Sequence, residues 1–246
     1  MTGFRPHDHA SKKNKANSPG VDAVTRFDPV LVQNPALLGS FRVGGFDVGG
    51  FSVATADGVL VGQRVGLRPL GPSDCAAWLD LQASQGDAAG DLGTINDQTA
   101  FDRRCESIEL ASMIGVSDTF GVFLGQQLVG ELEVGLLTAA GLSSAFASLW
   151  LDGSAQHQGV ATEACVLVAQ HVFEQRGMQR LEFAVPPERA DVRRSLERAH
   201  LRDEGVAVGY APVDGTWADH VRYAMTTREW TEHRDELLAI AKGDAG

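Results

Sequence analysis

The chain has 246 residues, 43% of them hydrophobic, and a formal net charge of −11. That length supports one large domain, or one domain with an extension, around a sizeable core. The acidic surface repels phosphate backbones, which excludes nucleic acid as a primary partner and favours a basic peptide or an amine.

Cys75, Cys105 and Cys165 are far apart and odd in number, so neither a disulfide framework nor a metal spacing is present. No metal is expected, and three dispersed thiols suit a reducing, cytoplasmic setting. No apolar run approaches the ~18–20 residues of a membrane span, so no membrane partner is expected. The N-terminus has no apolar core of the signal-peptide kind.

Residues 1–26, with Lys12, Lys13 and Lys15, read as a disordered tail. His7 and His9 on that tail could ligate a metal, but such a pair ordinarily does nothing. Residues 27–62 mix strand-formers with Gly44-Gly45 and Gly49-Gly50, which predicts a β-rich extension leaning on the main domain. It either covers a sheet edge or builds a homodimer contact. From Arg64 the pattern is regular. Val65–Leu70 reads as a strand, and Ser73 or Asp74 as the cap of a helix carrying Ala77, Trp78 and Leu81. Residues 84–96 read as a loop. Asp97 caps a second helix, with Phe101, Cys105 and Ile108 at helical spacing. Phe120–Leu124 and Leu128–Val134 form a hairpin about Gly125-Gln126-Gln127, and Ala145–Leu151 is a further strand. Val160–Arg176 is an amphipathic helix ended by Gly177. Arg180–Val185 is a strand and 190–199 a helix. Gly205–Ala211 and His220–Thr226 close a hairpin at Asp214-Gly215. Arg228–Lys242 is a last helix, with 231–246 forming the C-terminal helix and tail. The order β-α-α-β-β-β-α-β-α-β-β predicts an α/β layer fold on a mixed sheet.

The unit that carries chemistry is a strand, then Gly153-Ser154-Ala155-Gln156-His157-Gln158-Gly159-Val160-Ala161-Thr162, then a helix. A helix N-terminus presents unpaired N–H groups and partial positive charge, which suit a diphosphate. Gly159 and Ala161 let the backbone approach closely, and Thr162 adds a hydroxyl. No Gly-Lys-Ser/Thr occurs here, so a nucleotide P-loop is excluded.

Residues 148–164 resemble the acetyl-CoA motif of the GNAT acetyltransferase superfamily. Further pieces match its ribosomal-protein N-terminal acetyltransferase (RimJ/RimL-like) branch. They are His171-Val172-Phe173, Met178–Glu182, Arg202–Gly205, Asp214–Tyr223, Glu229-Trp230 and, at the start, Leu67–Asp74. The resemblance covers about 64–230, inside a domain placed at 63–230. It implies the GNAT fold: a mixed, mostly antiparallel sheet with splayed strands and flanking helices. It implies an acetyl-CoA co-substrate whose diphosphate is held by Gln156, His157, Gln158, Gly159, Val160, Ala161 and Thr162. The pantetheine arm would lie in the wedge beside Trp150 and Leu151. An amine would attack the thioester directly, with strand amides stabilising the oxyanion.

The chain departs from the family's usual Asn-x-x-Ser and Gly-Phe. Arg189 stands at the asparagine position, Val192 at that of the serine sometimes assigned as thiolate proton donor, and His200 at a structural glycine. Arg189 could instead pair with a CoA phosphate, and Ser195 is one helical turn beyond Val192. Candidate general bases are Glu131 and Glu133, which share a strand face, and Glu182. A free α-amine of pKa about 7.7–8.0 is roughly a fifth to a third neutral near pH 7.4, against about 0.1% for a lysine. Weak base assistance therefore favours a peptide or protein α-amine, or a small-molecule amine, as acceptor. Two alternatives stand beside this reading: a degenerate GNAT-like CoA-binding or regulatory module without turnover, and transfer of succinyl or another acyl group.

Overall fold

The structure, a computed structural model, describes residues 58–85, 95–213 and 215–243. The expected tail over 1–26, nearly all of the 27–62 extension, and Asp214 lie outside the described residues.

Eight strands form one sheet: β1 Leu60–Val61, β2 Val65–Arg68, β3 Ser117–Leu124, β4 Gln127–Leu137, β5 Ser144–Leu151, β6 Arg180–Val185, β7 Arg202–Val213 and β8 Thr216–Thr226. Their spatial order is β1-β2-β3-β4-β5-β6-β8-β7. Every neighbouring pair is antiparallel except β5 and β6, which run parallel. The helices are α1 Cys75–Gln85, α2 Gln98–Met113, α3 Val160–Gln170, α4 Ala190–Arg198 and α5 Thr227–Lys242. The parallel β5–β6 pair needs a crossover, and α3 supplies it.

The strand period divides the sheet into two faces. Leu132, Val134, Ala145, Leu181, Tyr223 and Met225 join one core with Ala164, Val168, Trp230 and Leu237, under α3 and α5. Leu70, Trp78, Phe101, Phe123 and Leu128 make a second, smaller cluster under α1 and α2. This is the α/β mixed-sheet architecture expected from the sequence.

Three local expectations are refined. Neither Ser73 nor Asp74 caps α1. A 3₁₀ turn over Pro72–Asp74 precedes it, and the Asp74 carboxylate accepts from the Gly71 N–H and from Arg68. The loop at 84–96 begins later, since Ser84 and Gln85 belong to α1. The helix at 160–176 changes pitch. A π-helical turn over His171–Gln175 follows α3, closed by the Arg176 N–H donating to the His171 carbonyl at 3.0 Å. Asp97 does cap α2, accepting from the Ala100 N–H.

Candidate active site

β5 and β6 pair only from Ser144↔Arg180 to Ala147↔Phe183. Beyond that point Ser148–Leu151 leaves its parallel neighbour while keeping its ladder to β4, whose partners run Glu133↔Ser148 to Gly130↔Leu151. The sheet therefore opens into a wedge at the end of β5. The chain then turns through a short 3₁₀ segment, Gly153–Ala155, braced by the Asp152 carboxylate accepting from the Ser154 N–H. It crosses 156–159 and enters α3.

Two left-handed residues shape that crossing, His157 at φ 60° and Gly159 at φ 80°. The first helical bond is Glu163 N–H to the Gly159 carbonyl, so earlier N–H groups have no helical partner. Among the described residues, the N–H groups of 157–162 donate to no protein acceptor. A row of unpaired donors at the mouth of a wedge fits a diphosphate-bearing thioester. The side chains face elsewhere. Gln156 and Gln158 donate to the Leu151 and Ser154 carbonyls, and the Thr162 hydroxyl donates to the Ser195 carbonyl on α4. Val160 is buried, while Ala161 is half-exposed.

Sequence reasoning missed Arg64, in the turn between β1 and β2. Its Nη1 donates to the Gln158 carbonyl at 2.5 Å, and its Nε to Glu163 at 3.3 Å. A Cβ at Gly159 would lie 2.8 Å from Arg64 Nη2, so glycine here also makes room for the guanidinium. Glu163 is 1% exposed and fixes the turn by accepting the Arg64 and Val65 N–H groups. The local signal was a lone arginine before a strand, 99 residues from Glu163, and no pattern rule joins the two.

The face toward α1 and α2 carries the carboxylates in register rows. Gly121, Glu131 and Trp150 form one; Thr119, Glu133 and Ser148 the next; Gly135, Phe146, Glu182 and Ala224 a third. Glu131, 2% exposed, accepts from Arg104 at 2.7 Å and from Trp78 Nε1 at 3.3 Å. Glu182 is buried between Arg180 and Arg222. Glu133 is half-buried, and its register partner Ser148 is the first residue of β5 beyond the β5–β6 ladder. Arg104 Nη1 and Trp150 Nε1 are buried donors with no acceptor among the described residues.

On the opposite side of the wedge, Arg189 starts α4 and pairs with Asp191, whose carboxyl it holds below the usual range. Val192 is half-buried, and the Ser195 hydroxyl donates to the Asp191 carbonyl. Tyr223 is fully buried, its hydroxyl bonded to Arg193 and Glu197.

Comparison with known proteins agrees with this geometry. A family model described as "Acetyltransferase (GNAT) domain" matches residues 64–202. "Probable N-acetyltransferase YjcK" of Bacillus subtilis (strain 168) is 28% identical over 176 residues, spanning 66% of this chain and 93% of that protein. Mycobacterium smegmatis RimJ, solved in complex with CoA-disulfide, is 26% identical with a TM-score of 0.61, covering 72% of this chain and 94% of that one. A RimL acetyltransferase solved with coenzyme A shares the fold, with a TM-score of 0.61 and 19% identity over 70% of this chain and 99% of its own. The family model spans more than half of the chain, its boundaries enclose both the wedge and the loop, and the chain is therefore a member of the GNAT acetyltransferase family and an acyltransferase enzyme.

Proposed function

We propose that the protein moves an acetyl group from acetyl-CoA to the α-amine of a peptide or protein. The observation that carries this reading is the wedge. It opens at Ala147↔Phe183 and leads directly to a loop with unpaired N–H groups at 157–162. In that reading the diphosphate takes the loop donors and the Arg64 guanidinium, and the pantetheine arm lies along Ser148–Leu151. Backbone donors of β5 facing the wedge would stabilise the oxyanion of the attacked thioester.

The amine nitrogen attacks the thioester carbonyl, the C–S bond breaks, and the CoA sulfur leaves as thiolate and takes up a proton. The amine's proton goes to Glu133, directly or through water. Glu133 suits this role better than its neighbours because it is only half-buried and its register partner Ser148 borders the opening, whereas Glu131 and Glu182 are buried. Glu131 is a positioning residue, holding Arg104 and Trp78. The two unsatisfied donors, Arg104 Nη1 and Trp150 Nε1, lie around Glu131 on the acceptor face and suit a carbonyl oxygen of a peptide substrate. Arg189, already paired with Asp191, is assigned at most a long-range attraction for a CoA phosphate.

Thiol release measured across peptides tests this. Free-N-terminus peptides should turn over, while the same peptides with blocked N-termini and internal lysines should not. Glu133→Gln should lower kcat/KM about 100-fold and remove the acidic limb of its pH profile. Equal rates on blocked, lysine-containing peptides would contradict the α-amine assignment, and an unchanged pH profile would contradict the role of Glu133.

A further inference from the structure

His200 terminates α4 in a way that glycine ordinarily does. Its N–H donates to the Glu197 carbonyl at 3.0 Å, and the Leu201 N–H reaches back to the Leu196 carbonyl at 3.0 Å. This is the Schellman pattern, and its left-handed residue is His200, at φ 58°. A side chain with a Cβ is disfavoured in that conformation. Nothing in the local backbone calls for an imidazole there, so the ring's surroundings must account for it.

The ring meets α5. His200 and His233 pack edge to face, with centroids 4.7 Å apart and planes at 73°. Glu236, one turn beyond His233, stands between them. Its Oε1 lies 3.5 Å from His200 Nε2, and its Oε2 lies 3.5 Å from His233 Nδ1. One ligand atom from each of the three falls within 4.8 Å of the others. Ligands at about 2.0–2.1 Å from a tetrahedral zinc ion stand roughly 3.3–3.4 Å apart. The two 3.5 Å separations, one to each oxygen of Glu236, are long for hydrogen bonds, and the 4.8 Å envelope of the three ligand atoms is wide enough to contract around an ion. Two imidazoles and one carboxylate form a zinc-type donor set, and the side chains are open enough to solvent for an ion to enter and for water to complete the shell.

We propose that His200, His233 and Glu236 form a binding site for a divalent transition metal of the zinc type, which fastens α5 to the α4–β7 corner. No local pattern points to it, because the ligands are split between two elements and involve no cysteine. The three ligands come from the end of α4 and from α5 and include no residue assigned to the proposed acetyl-CoA site, so the site stands whether or not the proposed acceptor is right.

The test is isothermal titration of zinc chloride into the full chain carrying His7→Ala and His9→Ala, which removes the competing histidines of the N-terminus. One zinc ion per chain should bind, and zinc should raise the thermal unfolding midpoint. His200→Gly should weaken binding at least 100-fold and abolish the zinc-dependent rise. It should not lower the metal-free midpoint, because glycine accepts the left-handed backbone. Glu236→Gln, a surface change that leaves that backbone alone, should weaken binding at least tenfold. No zinc binding by the parent, or equal binding by His200→Gly and Glu236→Gln, would overturn the proposal.

Discussion

At the scale of the residue, Arg64 and Gly159 show how the loop is tuned. Gly159 is the left-handed entry to α3, and its missing side chain is the space that Arg64 occupies. Glu163 neutralises part of the guanidinium and holds the turn that carries it, but Arg64 remains half-exposed toward the loop. A charge-assisted bond to a phosphate is stronger than a neutral one. Arg64→Ala should therefore raise KM for acetyl-CoA about tenfold with little change in kcat, as steady-state kinetics would show. A fall in kcat at unchanged KM would place Arg64 in the chemistry instead. Gly159 was legible in the sequence because a glycine before an apolar helical stripe has few other uses. Arg64 was not, since its partners come from distant parts of the chain and a turn arginine looks like any solvated cation. The strand carboxylates were legible as a set, but their separate roles were not. Only the structure separates half-buried Glu133 from the buried Glu131 and Glu182.

At the scale of the element, the pitch change after α3 joins the helix to the sheet. The π turn carries His171, whose Nε2 lies 2.7 Å from Asp118 Oδ2 on β3, while Arg176 just beyond it pairs with the same carboxylate. The Ser112 hydroxyl, from α2, donates to the other oxygen at 2.6 Å. One buried carboxylate thus ties together α2, β3 and the end of the α3 crossover. Burial pushes the Asp118 carboxyl up, but hydrogen bonds from His171, Arg176 and Ser112 outweigh it and hold the group at about 2. The folded value lies below the ordinary one, so this stability is fully present above about pH 4 and lost as pH falls from there toward 2. The loss is on the order of 2 kcal/mol. Asp118→Asn should lower stability at pH 7 and flatten that acid limb, read by urea unfolding between pH 2 and pH 7. An acid limb of the same steepness in the variant would assign the loss to other carboxylates. Apolar periodicity located the helix but could not foresee the π turn. That turn answers to a contact with Asp118, 53 residues away.

At the scale of the whole molecule, the order of elements was almost fully legible, because long strands and helices announce themselves by period. The splay between β5 and β6 was not legible from local pattern, since both strands look complete. It came from the family resemblance and is visible in the structure as the end of the ladder at Ala147↔Phe183. The wedge, the loop donors and the Arg64 guanidinium then stand together at one end of the sheet, with Glu133 on the neighbouring row. Among the described residues no helix is long and apolar enough to cross a membrane. The most direct measurement is isothermal titration of acetyl-CoA into the wild-type chain and into Gly159→Trp, each checked for folding by circular dichroism. The account predicts one acetyl-CoA bound per wild-type chain, with binding lost in a folded Gly159→Trp. No binding by the wild type, or equal affinity in the two, would contradict it.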